Sequence, residues 1–209
     1  MSFFPMFIEL KQKKCLVVGG GAIAARKIQA LLEFGGDVTA IATTFSDAVE
    51  QMVGIRKICR GFEEKDLDEV DLVVAATDDL QLNHEIARRC KASRIPVNVV
   101  DQPEDCSFLF PAYRKQGEVV AAYSSGGQSP AIAQYLKAAS AEILTKELGD
   151  LAARLGELRT RVKTEIANAN DRKRFYQEVL TLSLEADGVL EEAEIEKILE
   201  IYKKKNGEN

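Results

Sequence analysis

The sequence predicts an α/β protein, and three features of the chain predict it. Short apolar runs bounded by turn residues recur within roughly the first 100 residues, as in the buried strands of a parallel sheet. Amphipathic stretches with apolar residues spaced near 3.6 lie between these runs. From residue 131 to the end only the helical spacing remains. We therefore expect a parallel-sheet domain followed by a helical region.

Residues 15–32 contain the clearest unit, which is a strand, a glycine turn and a helix. Gly19, Gly21 and Ala24 occupy the small-residue positions of the dinucleotide fingerprint G-x-G-x-x-G/A. The first permits a tight turn, the second lets a pyrophosphate approach the backbone, and the third lets the helix pack closely on the strand. The pyrophosphate would bind the free N–H groups of the helix that begins near Ala22. This context favours a Rossmann-type nucleotide site over a purely structural glycine turn.

The other strands and helices of this domain follow in alternation. Strands are predicted at residues 38–42, 56–59, 71–77 and 97–100. Helices or helical turns are predicted between them, at residues 47–53, 63–69 and 83–92. We expect residues 3–10 to lie as an edge segment against the sheet. The alternation predicts parallel strands joined by helices.

The end of the second strand bears on the choice of cofactor. NAD-specific folds usually have Asp or Glu about 20 residues beyond the glycines, where it binds the ribose hydroxyls. This chain has Thr43 and Thr44 there, whose hydroxyls and backbone amides can bind the ribose. Because no arginine stands at that position to bind a 2′-phosphate, NAD is favoured, although these residues leave NADP open.

Asp101 is the candidate catalytic residue. It directly follows strand 97–100, so it should lie at the carboxyl edge of the sheet, and a carboxylate there is a candidate general base. His84, the one histidine, lies early in a helix, where a surface role is favoured over a catalytic one. Asp78 and Asp79 invite a metal-site interpretation, but acidic residues between a strand and a helix more often cap the helix.

A second glycine loop, SSGGQSP, follows a sixth predicted strand at residues 118–123. Ser129 and Pro130 form a helix start, with serine as the N-cap and proline at the first helical position. The amides and hydroxyls of the loop can hold a carboxylate or a phosphate. A plain strand-to-helix connection fits the spacing equally well.

The rest of the chain predicts helices at residues 130–147, 150–169, 171–185 and 191–204. A basic stretch runs through them, formed by Arg154, Arg159, Arg161, Lys163, Arg172, Lys173 and Arg174. Such a run is by default a solvated face, but the arginines also suit a substrate with many carboxylates. Residues 183–194 resemble a calcium-binding loop, but Ser183 replaces its first aspartate, so an Asp-Gly turn is favoured and no metal site is predicted.

Composition excludes several classes of protein. The 209-residue chain has a formal net charge of −5, which argues against bulk affinity for nucleic acid or anionic membranes. Its four cysteines form no C-x-x-C pair, so neither a zinc site nor a disulfide framework is indicated. Lysines follow the apolar residues 3–10, whereas a secretory signal has its positive charge first. We expect a cytoplasmic protein with reduced thiols.

Over residues 5–136 the chain resembles the precorrin-2 dehydrogenases and the N-terminal part of siroheme synthase. The resemblance rests on four segments in order: PMFIELKQKKCLVVGGGAIAARK, AATDD, NVVDQPEDCSFLFPA and SSGGQSPAIAQYL. It continues more weakly through residues 159–175. It implies NAD-dependent oxidation of the tetrapyrrole precorrin-2 to sirohydrochlorin and, in bifunctional members, insertion of ferrous iron to give siroheme. Whether this chain inserts iron stays open.

The resemblance also implies roles for individual residues. The family's essential aspartate falls on Asp101, and a serine phosphorylated in some members falls on Ser125. Its nucleotide contacts fall on Ala22, Ile23, Thr43 and Thr44. With the loop and the basic stretch, this predicts substrate contacts at Asn98, Ser124, Ser125, Gly126, Arg159 and Arg161. A homodimer with interlocked middle segments is implied as well.

These inferences predict three regions of the chain. Residues 1–112 form a Rossmann-type NAD-binding domain, residues 113–147 a dimerisation segment, and residues 148–209 a small all-helical C-terminal domain. Two other functions fit the sequence less well than the dehydrogenase. A non-enzymatic nucleotide-sensing domain shares the Rossmann half but does not need NVVD followed by SSGGxSP. A short-chain dehydrogenase needs Tyr-x-x-x-Lys, and none of the five tyrosines has a lysine four residues on.

Overall fold

A computed structural model describes residues 3–186 and 190–207. The chain divides into two compact units, Met1–Phe110 and Pro111–Asn209. The strands of the first unit are β1 (Lys14–Val18), β2 (Asp37–Ala42), β3 (Ile55–Cys59), β4 (Leu72–Ala75) and β5 (Val97–Val99). Its helices are α1 (Ala22–Glu33), α2 (Asp47–Glu50) and α3 (Leu80–Ala92), with 3₁₀ turns at Glu64–Leu67 and Pro103–Asp105. Within the described residues these strands pair in parallel in the order β3-β2-β1-β4-β5, which confirms the Rossmann-type sheet.

Strand β1 lies at the centre of the sheet and is buried on both faces. Leu16 and Val18 belong to the buried cluster on one face, and Cys15 and Val17 belong to the cluster on the other. Burial on both faces explains why this strand is an unbroken apolar run. Strand β1 pairs with β2 on one side and with β4 on the other, so the strand order reverses here. Sheets of this type bind ligands at the carboxyl ends of the strands that flank such a reversal.

Two expectations for the first unit need correction. Residues 3–10 form no strand along the sheet, and Phe4, Met6 and Phe7 are exposed. Proline at position 5 has no N–H to donate to a neighbouring strand, which is one physical reason. Strand β4 ends at Ala75, earlier than expected, and α3 begins at Leu80 rather than at residue 83.

The early start of α3 follows from its cap. The side chain of Asp79 accepts hydrogen bonds from the backbone N–H groups of Gln81 and Leu82, at 2.9 and 3.0 Å. A carboxylate in this position satisfies free N–H groups of the first turn and interacts favourably with the helix dipole. The capping interpretation is therefore confirmed for Asp79.

The second unit begins with an antiparallel hairpin of β6 (Ala112–Gln116) and β7 (Val119–Tyr123). The sequence predicted only the second of these strands and counted it as a sixth strand after the sheet. The hairpin is instead a separate sheet. Strand β6 was missed because its sequence, AYRKQ, lacks the apolar pattern of a strand and is completed by pairing with β7.

Four helices follow the hairpin among the described residues. They are α4 (Pro130–Ala139), α5 (Lys146–Glu165), α6 (Ala169–Glu185) and α7 (Glu192–Gly207), with a 3₁₀ turn at Ser140–Glu142. The predicted helix 130–147 is thus divided, since the Thr145 side chain accepts a bond from the Leu148 N–H and starts α5. The predicted start at Ser129 and Pro130 is confirmed, with Ser129 capping the N–H of Ile132.

Helices α5, α6 and α7 share one buried cluster, in which Val162, Phe175 and Leu199 are fully buried. In the described part of the chain, no helix is both long and apolar enough to cross a membrane. The domain boundaries at residues 112 and 147 stay predictions. The predicted Asp-Gly turn, in the segment that resembles a calcium-binding loop, lies outside the described residues.

Candidate nucleotide and substrate site

The three consecutive glycines after β1 meet different surroundings. Gly19 has a φ of 133°, and a Cβ on it would lie 2.2 Å from the Ala76 carbonyl oxygen. A Cβ on Gly20 would lie 2.1 Å from the carbonyl oxygen of Thr44. A Cβ on Gly21, in contrast, would have no described atom within 4 Å. At the first two positions only glycine fits, because a side chain would collide with a neighbouring backbone carbonyl. Gly21 borders open space at the start of α1.

That open space lies at a helix N-terminus suited to an anion. Gly21 is the N-cap of α1 and offers no side-chain acceptor to the first-turn N–H groups, while Ala22 and Ile23 are exposed. Ala24 is fully buried, as expected for the residue that brings helix and strand together. Free N–H groups and the positive end of the helix dipole both favour a phosphate at this place.

The loop after β2 packs directly against the glycine turn. The Ser46 N–H donates to the Gly20 carbonyl at 2.8 Å, and Thr43 and Thr44 are exposed. The Cys59 thiol donates to the Thr43 carbonyl at 3.3 Å. The structure therefore brings both predicted ribose contacts to the edge of the sheet that carries the glycine turn.

A buried amide holds the turn between β4 and α3. Asn83 is fully buried, and its Oδ1 accepts bonds from the Thr77 N–H and hydroxyl at 3.2 and 2.7 Å. Its Nδ2 donates to the Thr77 carbonyl at 3.0 Å. Asn83 is not among the residues predicted from the sequence, where its one signal is a polar side chain on the apolar face of a predicted helix. It orders the chain next to Ala76, against which Gly19 packs.

Asp101 lies two residues beyond the end of β5, at the carboxyl edge of the sheet. Its side chain is exposed and its φ is 60°, in the left-handed region that non-glycine residues rarely adopt. The Val100 N–H donates to the Ala75 carbonyl at 3.0 Å, which fixes the strand just before it. Such conformations persist where the surroundings enforce them and are often found at functional sites.

Asn98, a predicted substrate contact, is largely buried within the first unit. Its Nδ2 donates to the Phe108 carbonyl at 3.1 Å and lies 3.5 Å from the Cys106 sulfur. These contacts join β5 to the segment that returns alongside it. A role of Asn98 in substrate binding stays a prediction.

The serines of the second glycine loop bond within the loop. Ser124 Oγ accepts from the Gly126 N–H at 3.1 Å, and Ser125 Oγ accepts from the Ser129 N–H at 2.9 Å. Gly126 and Gly127 have φ values of 64° and 84°, so both need the freedom of glycine. The loop leads directly into the N-terminus of α4, where an anion is favoured.

The two predicted arginine contacts differ in their surroundings. Arg161 donates to Glu165 at 2.7 Å and binds Glu196 through both terminal nitrogens, one of them at 2.8 Å. These carboxylates raise the pKa of its guanidinium. Arg159 is exposed and forms no ion pair with a described residue. Arg161 thus joins α5 to α7, and Arg159 is the arginine of this pair with an accessible guanidinium.

His84 is exposed, as expected, but its side chain contacts a buried carboxylate. Its Nδ1 lies 2.7 Å from Oδ2 of Asp105, which is buried. This contact is not predictable from local sequence patterns, because 21 positions separate the two residues.

Comparison with known proteins agrees with this geometry. Residues 6–112 match the family described as putative NAD(P)-binding. The chain belongs to this family. Membership of this family indicates NAD(P) as the cofactor, which confirms the prediction of a nicotinamide dinucleotide. Residues 147–198 match the sirohaem synthase dimerisation region, which begins where the predicted dimerisation segment ends.

Similar proteins extend the comparison to most of the chain. The siroheme synthase of Ruthia magnifica subsp. Calyptogena magnifica is 39% identical over 184 residues, covering 87% of this chain and 39% of that protein. Siroheme synthase 1 of Yersinia enterocolitica is 39% identical over 202 residues, covering 94% of this chain and 43% of that protein. The resemblance to the siroheme synthase family is thereby confirmed. The chain spans about two fifths of the length of these relatives.

A solved structure shows the same fold over nearly the whole chain. The structure titled "SirC, precorrin-2 dehydrogenase" matches with a TM-score of 0.79 at 23% identity, covering 97% of this chain and 100% of that one. At this identity the match establishes the fold.

Proposed function

We propose that this chain is an NAD-dependent precorrin-2 dehydrogenase, which oxidises precorrin-2 to sirohydrochlorin in siroheme biosynthesis. The observation that carries the proposal is the placement of Asp101 at the sheet edge that also holds the open glycine turn. Relatives named siroheme synthase support the substrate, and membership of the putative NAD(P)-binding family supports the cofactor. A non-enzymatic nucleotide sensor would need no exposed, conformationally restrained carboxylate at this position.

The residues that would hold the nucleotide follow from the geometry. The first-turn amides of α1, at Ala22 and Ile23, would bind the pyrophosphate, and Thr43 and Thr44 would bind the ribose hydroxyls. When bound, the nicotinamide ring accepts a hydride. NAD is favoured over NADP because Arg60, at the end of β3, already binds Asp66 with two nitrogens at 2.8 and 2.6 Å. Its guanidinium is thereby occupied and less available to a 2′-phosphate.

Asp101 would act as the proton acceptor of the oxidation. Removing a hydride from the macrocycle leaves a cation, which becomes neutral when a proton leaves carbon or a pyrrole nitrogen. An exposed carboxylate at the carboxyl edge is suited to accept that proton. Arg159 and the loop Ser124–Gly126 stay predicted contacts for the substrate carboxylates, and charge-assisted hydrogen bonds would be their means of binding.

A homodimer is part of this proposal. Among the described residues, the segment 111–145 contributes to none of the three buried clusters. The two-stranded hairpin packs against α4, and β6 also packs against α5, but a two-stranded sheet with so little buried apolar surface is marginally stable in water and is expected to gain from further packing. The match to a dimerisation region at residues 147–198 supports a second copy as the partner. Iron insertion and a cytoplasmic location stay predictions from the sequence.

The decisive experiment mixes the purified protein with enzymatically made precorrin-2 and NAD and follows the absorption of sirohydrochlorin. Asp101→Ala should lower kcat by about 10²- to 10⁴-fold, the usual contribution of a positioned acid or base. Asp101→Asn should be equally slow, because asparagine tolerates the left-handed conformation but cannot accept the proton. Both variants should keep their affinity for NAD.

Two outcomes would contradict the proposal. A wild-type protein that converts no precorrin-2 with either NAD or NADP would exclude the dehydrogenase. Full activity in Asp101→Asn would show that the carboxylate is not the proton acceptor. Loss of activity in Asp101→Ala alone would point to backbone strain rather than to chemistry.

A further inference from the structure

The turn that follows Asp101 is attached to helix α3 by side chains for which the reaction has no use. Asp105 lies in this turn as a buried carboxylate with 7% of its surface exposed. Its Oδ2 lies 2.7 Å from Nδ1 of His84, and its Oδ1 lies 3.6 Å from Nζ of Lys91. Lys91 also donates to the backbone carbonyl of Glu104 at 3.1 Å. His84 and Lys91 are seven residues apart, so they lie on one face of α3 and reach the same turn.

Because Asp105 is buried, its carboxylate depends on these contacts for stabilisation. A buried carboxylate is stable only when hydrogen bonds or opposite charges compensate for its lost hydration. His84 forms the shorter of its two side-chain contacts, and Lys91 is a more distant charge. His84 is more than half exposed, which moderates the strength of the pair. Of the two side chains that reach Asp105 from α3, His84 therefore makes the closer contact.

The opposite side of the turn is attached to β5. The sulfur of Cys106 accepts a bond from the Val99 N–H at 3.1 Å. Within the turn, the Asp105 N–H donates to the Gln102 carbonyl at 3.1 Å, and Gln102 Nε2 lies 3.4 Å from the Leu80 carbonyl of α3. The turn is thus held between β5 and α3.

Asp101 stands at the start of this doubly attached turn. Its left-handed backbone is a conformation that persists only when the surroundings enforce it. Strand β5 restrains the residue from the N-terminal side, and the turn restrains it from the C-terminal side. Loosening the turn would let Asp101 relax toward ordinary backbone angles and move its carboxylate.

We propose that His84 and Asp105 are positioning residues, which hold the turn at Asp101 and so keep its carboxylate in place for proton transfer. This pair is called the His84–Asp105 clamp. The inference rests on the proposed function, in which Asp101 accepts the proton. Neither residue of the clamp contacts substrate or cofactor in this role; both act through the turn.

The test compares His84→Ala, His84→Asn and the control Arg88→Ala. Asparagine places an N–H donor close to the position of the histidine Nδ1 but has no counterpart of Nε2. Arg88 is an exposed residue of the same helix, outside the clamp. Each variant is assayed for kcat, KM and NAD affinity. Hydrogen exchange is measured at the backbone amides of β1 and of residues 100–106, except Pro103, which has no N–H.

His84→Ala should lower kcat and accelerate exchange in residues 100–106, each by about 3- to 10-fold, as expected for one partly exposed hydrogen bond to a charged group. KM, NAD affinity and exchange in β1 should not change. His84→Asn should restore both quantities to within about twofold, the range of neutral surface substitutions. Arg88→Ala should match the wild type.

Several results would overturn the clamp. Unchanged exchange in residues 100–106 of His84→Ala would show that the pair does not hold the turn. Failure of His84→Asn to restore kcat, with exchange restored, would show that Nε2 acts directly in the reaction. Faster exchange throughout, including β1, would make the pair a general stabilising contact. If the wild type oxidises no precorrin-2, the proposed function fails. The comparison of hydrogen exchange between His84→Ala and His84→Asn would still show whether the pair holds the turn.

Discussion

At the scale of single residues, the three glycines after β1 separate folding from binding. Gly19 and Gly20 approach the backbone carbonyls of Ala76 and Thr44 so closely that a side chain on either would displace the backbone of these neighbouring segments. Gly21 borders open space instead. Substitution of Gly19 or Gly20 should therefore affect folding, and substitution of Gly21 should affect nucleotide binding.

Gly21→Asp should leave the protein folded and lower its affinity for NAD by about 100-fold, because the carboxylate would occupy and repel the pyrophosphate position. Gly20→Ala should instead lower the free energy of unfolding by about 1–3 kcal/mol, the usual effect of overpacking. Calorimetric NAD titration and urea denaturation measure the two effects. Unchanged NAD affinity in folded Gly21→Asp would remove the nucleotide assignment.

Buried thiols predict a pH dependence of stability. Burial raises the pKa of Cys15 and of Cys90 from the ordinary value of 9.0 to about 11. Between these values the unfolded state releases thiol protons that the folded state keeps, so stability should fall as the pH rises through this window and be unaffected below it. One thiol can change the free energy of unfolding by at most about 1.4 kcal/mol per pH unit.

Urea denaturation between pH 8 and 11 checks this expectation, with Cys90→Ala as the comparison. The variant lacks one of the buried thiols whose pKa is raised, so its stability should fall less steeply with pH than that of the wild type. Identical slopes would mean that the Cys90 thiol ionises in the folded protein as readily as in the unfolded chain.

At the scale of elements, two arginines of α5 only two positions apart have different environments. Arg161 connects α5 to α7 through Glu196, 35 residues further along the chain. Arg159 is exposed and forms no ion pair within the described residues. A common role for both as substrate contacts, which the basic stretch suggested, is hard to reconcile with this arrangement.

Arg161→Ala should lower the melting temperature and leave KM for precorrin-2 unchanged in the folded fraction. Arg159→Ala should leave the melting temperature unchanged and raise KM by about 10-fold, through loss of one charge-assisted hydrogen bond. Thermal denaturation and steady-state kinetics, applied to both single variants, distinguish them. Equal effects of the two substitutions on KM would restore the shared role.

At the scale of the whole molecule, buried clusters are unevenly distributed along the chain. Two cover the faces of the parallel sheet and one lies among α5, α6 and α7. In the stretch of sequence between these clusters, helix α4 exposes Ile132, Tyr135 and Leu136 at the i, i+3 and i+4 spacing of a single face. An apolar face beside a hairpin without its own core is expected at an interface between two copies.

The wild type should therefore have twice the mass of one chain in light scattering, and Tyr135→Glu should shift it toward the monomer, because a charge would be buried at the interface. Gln134→Glu adds the same charge at a neighbouring exposed position of α4, away from the apolar face, and should stay dimeric. A monomeric wild type, or a dimer untouched by Tyr135→Glu, would remove α4 from the interface.

The sequence by itself determined the elements whose signals are local. The glycine turn and its two flanking elements were readable because steric freedom at glycine and the periodicities of strand and helix act over a few residues. The position of Asp101 was readable as well, since all strands of a parallel sheet have their carboxyl ends at one edge. The same rule brought Thr43 and Thr44 to that edge.

Tertiary structure alone decided the contacts between residues distant in sequence. Strand β6 needed the partner strand β7, Gly20 met the Thr44 carbonyl, and Arg161 found Glu196 on another helix. The pairing of His84 with the buried Asp105 belongs to the same class. No periodicity encodes such contacts, because they depend on how elements pack in three dimensions, and packing brings together side chains that the chain itself keeps apart.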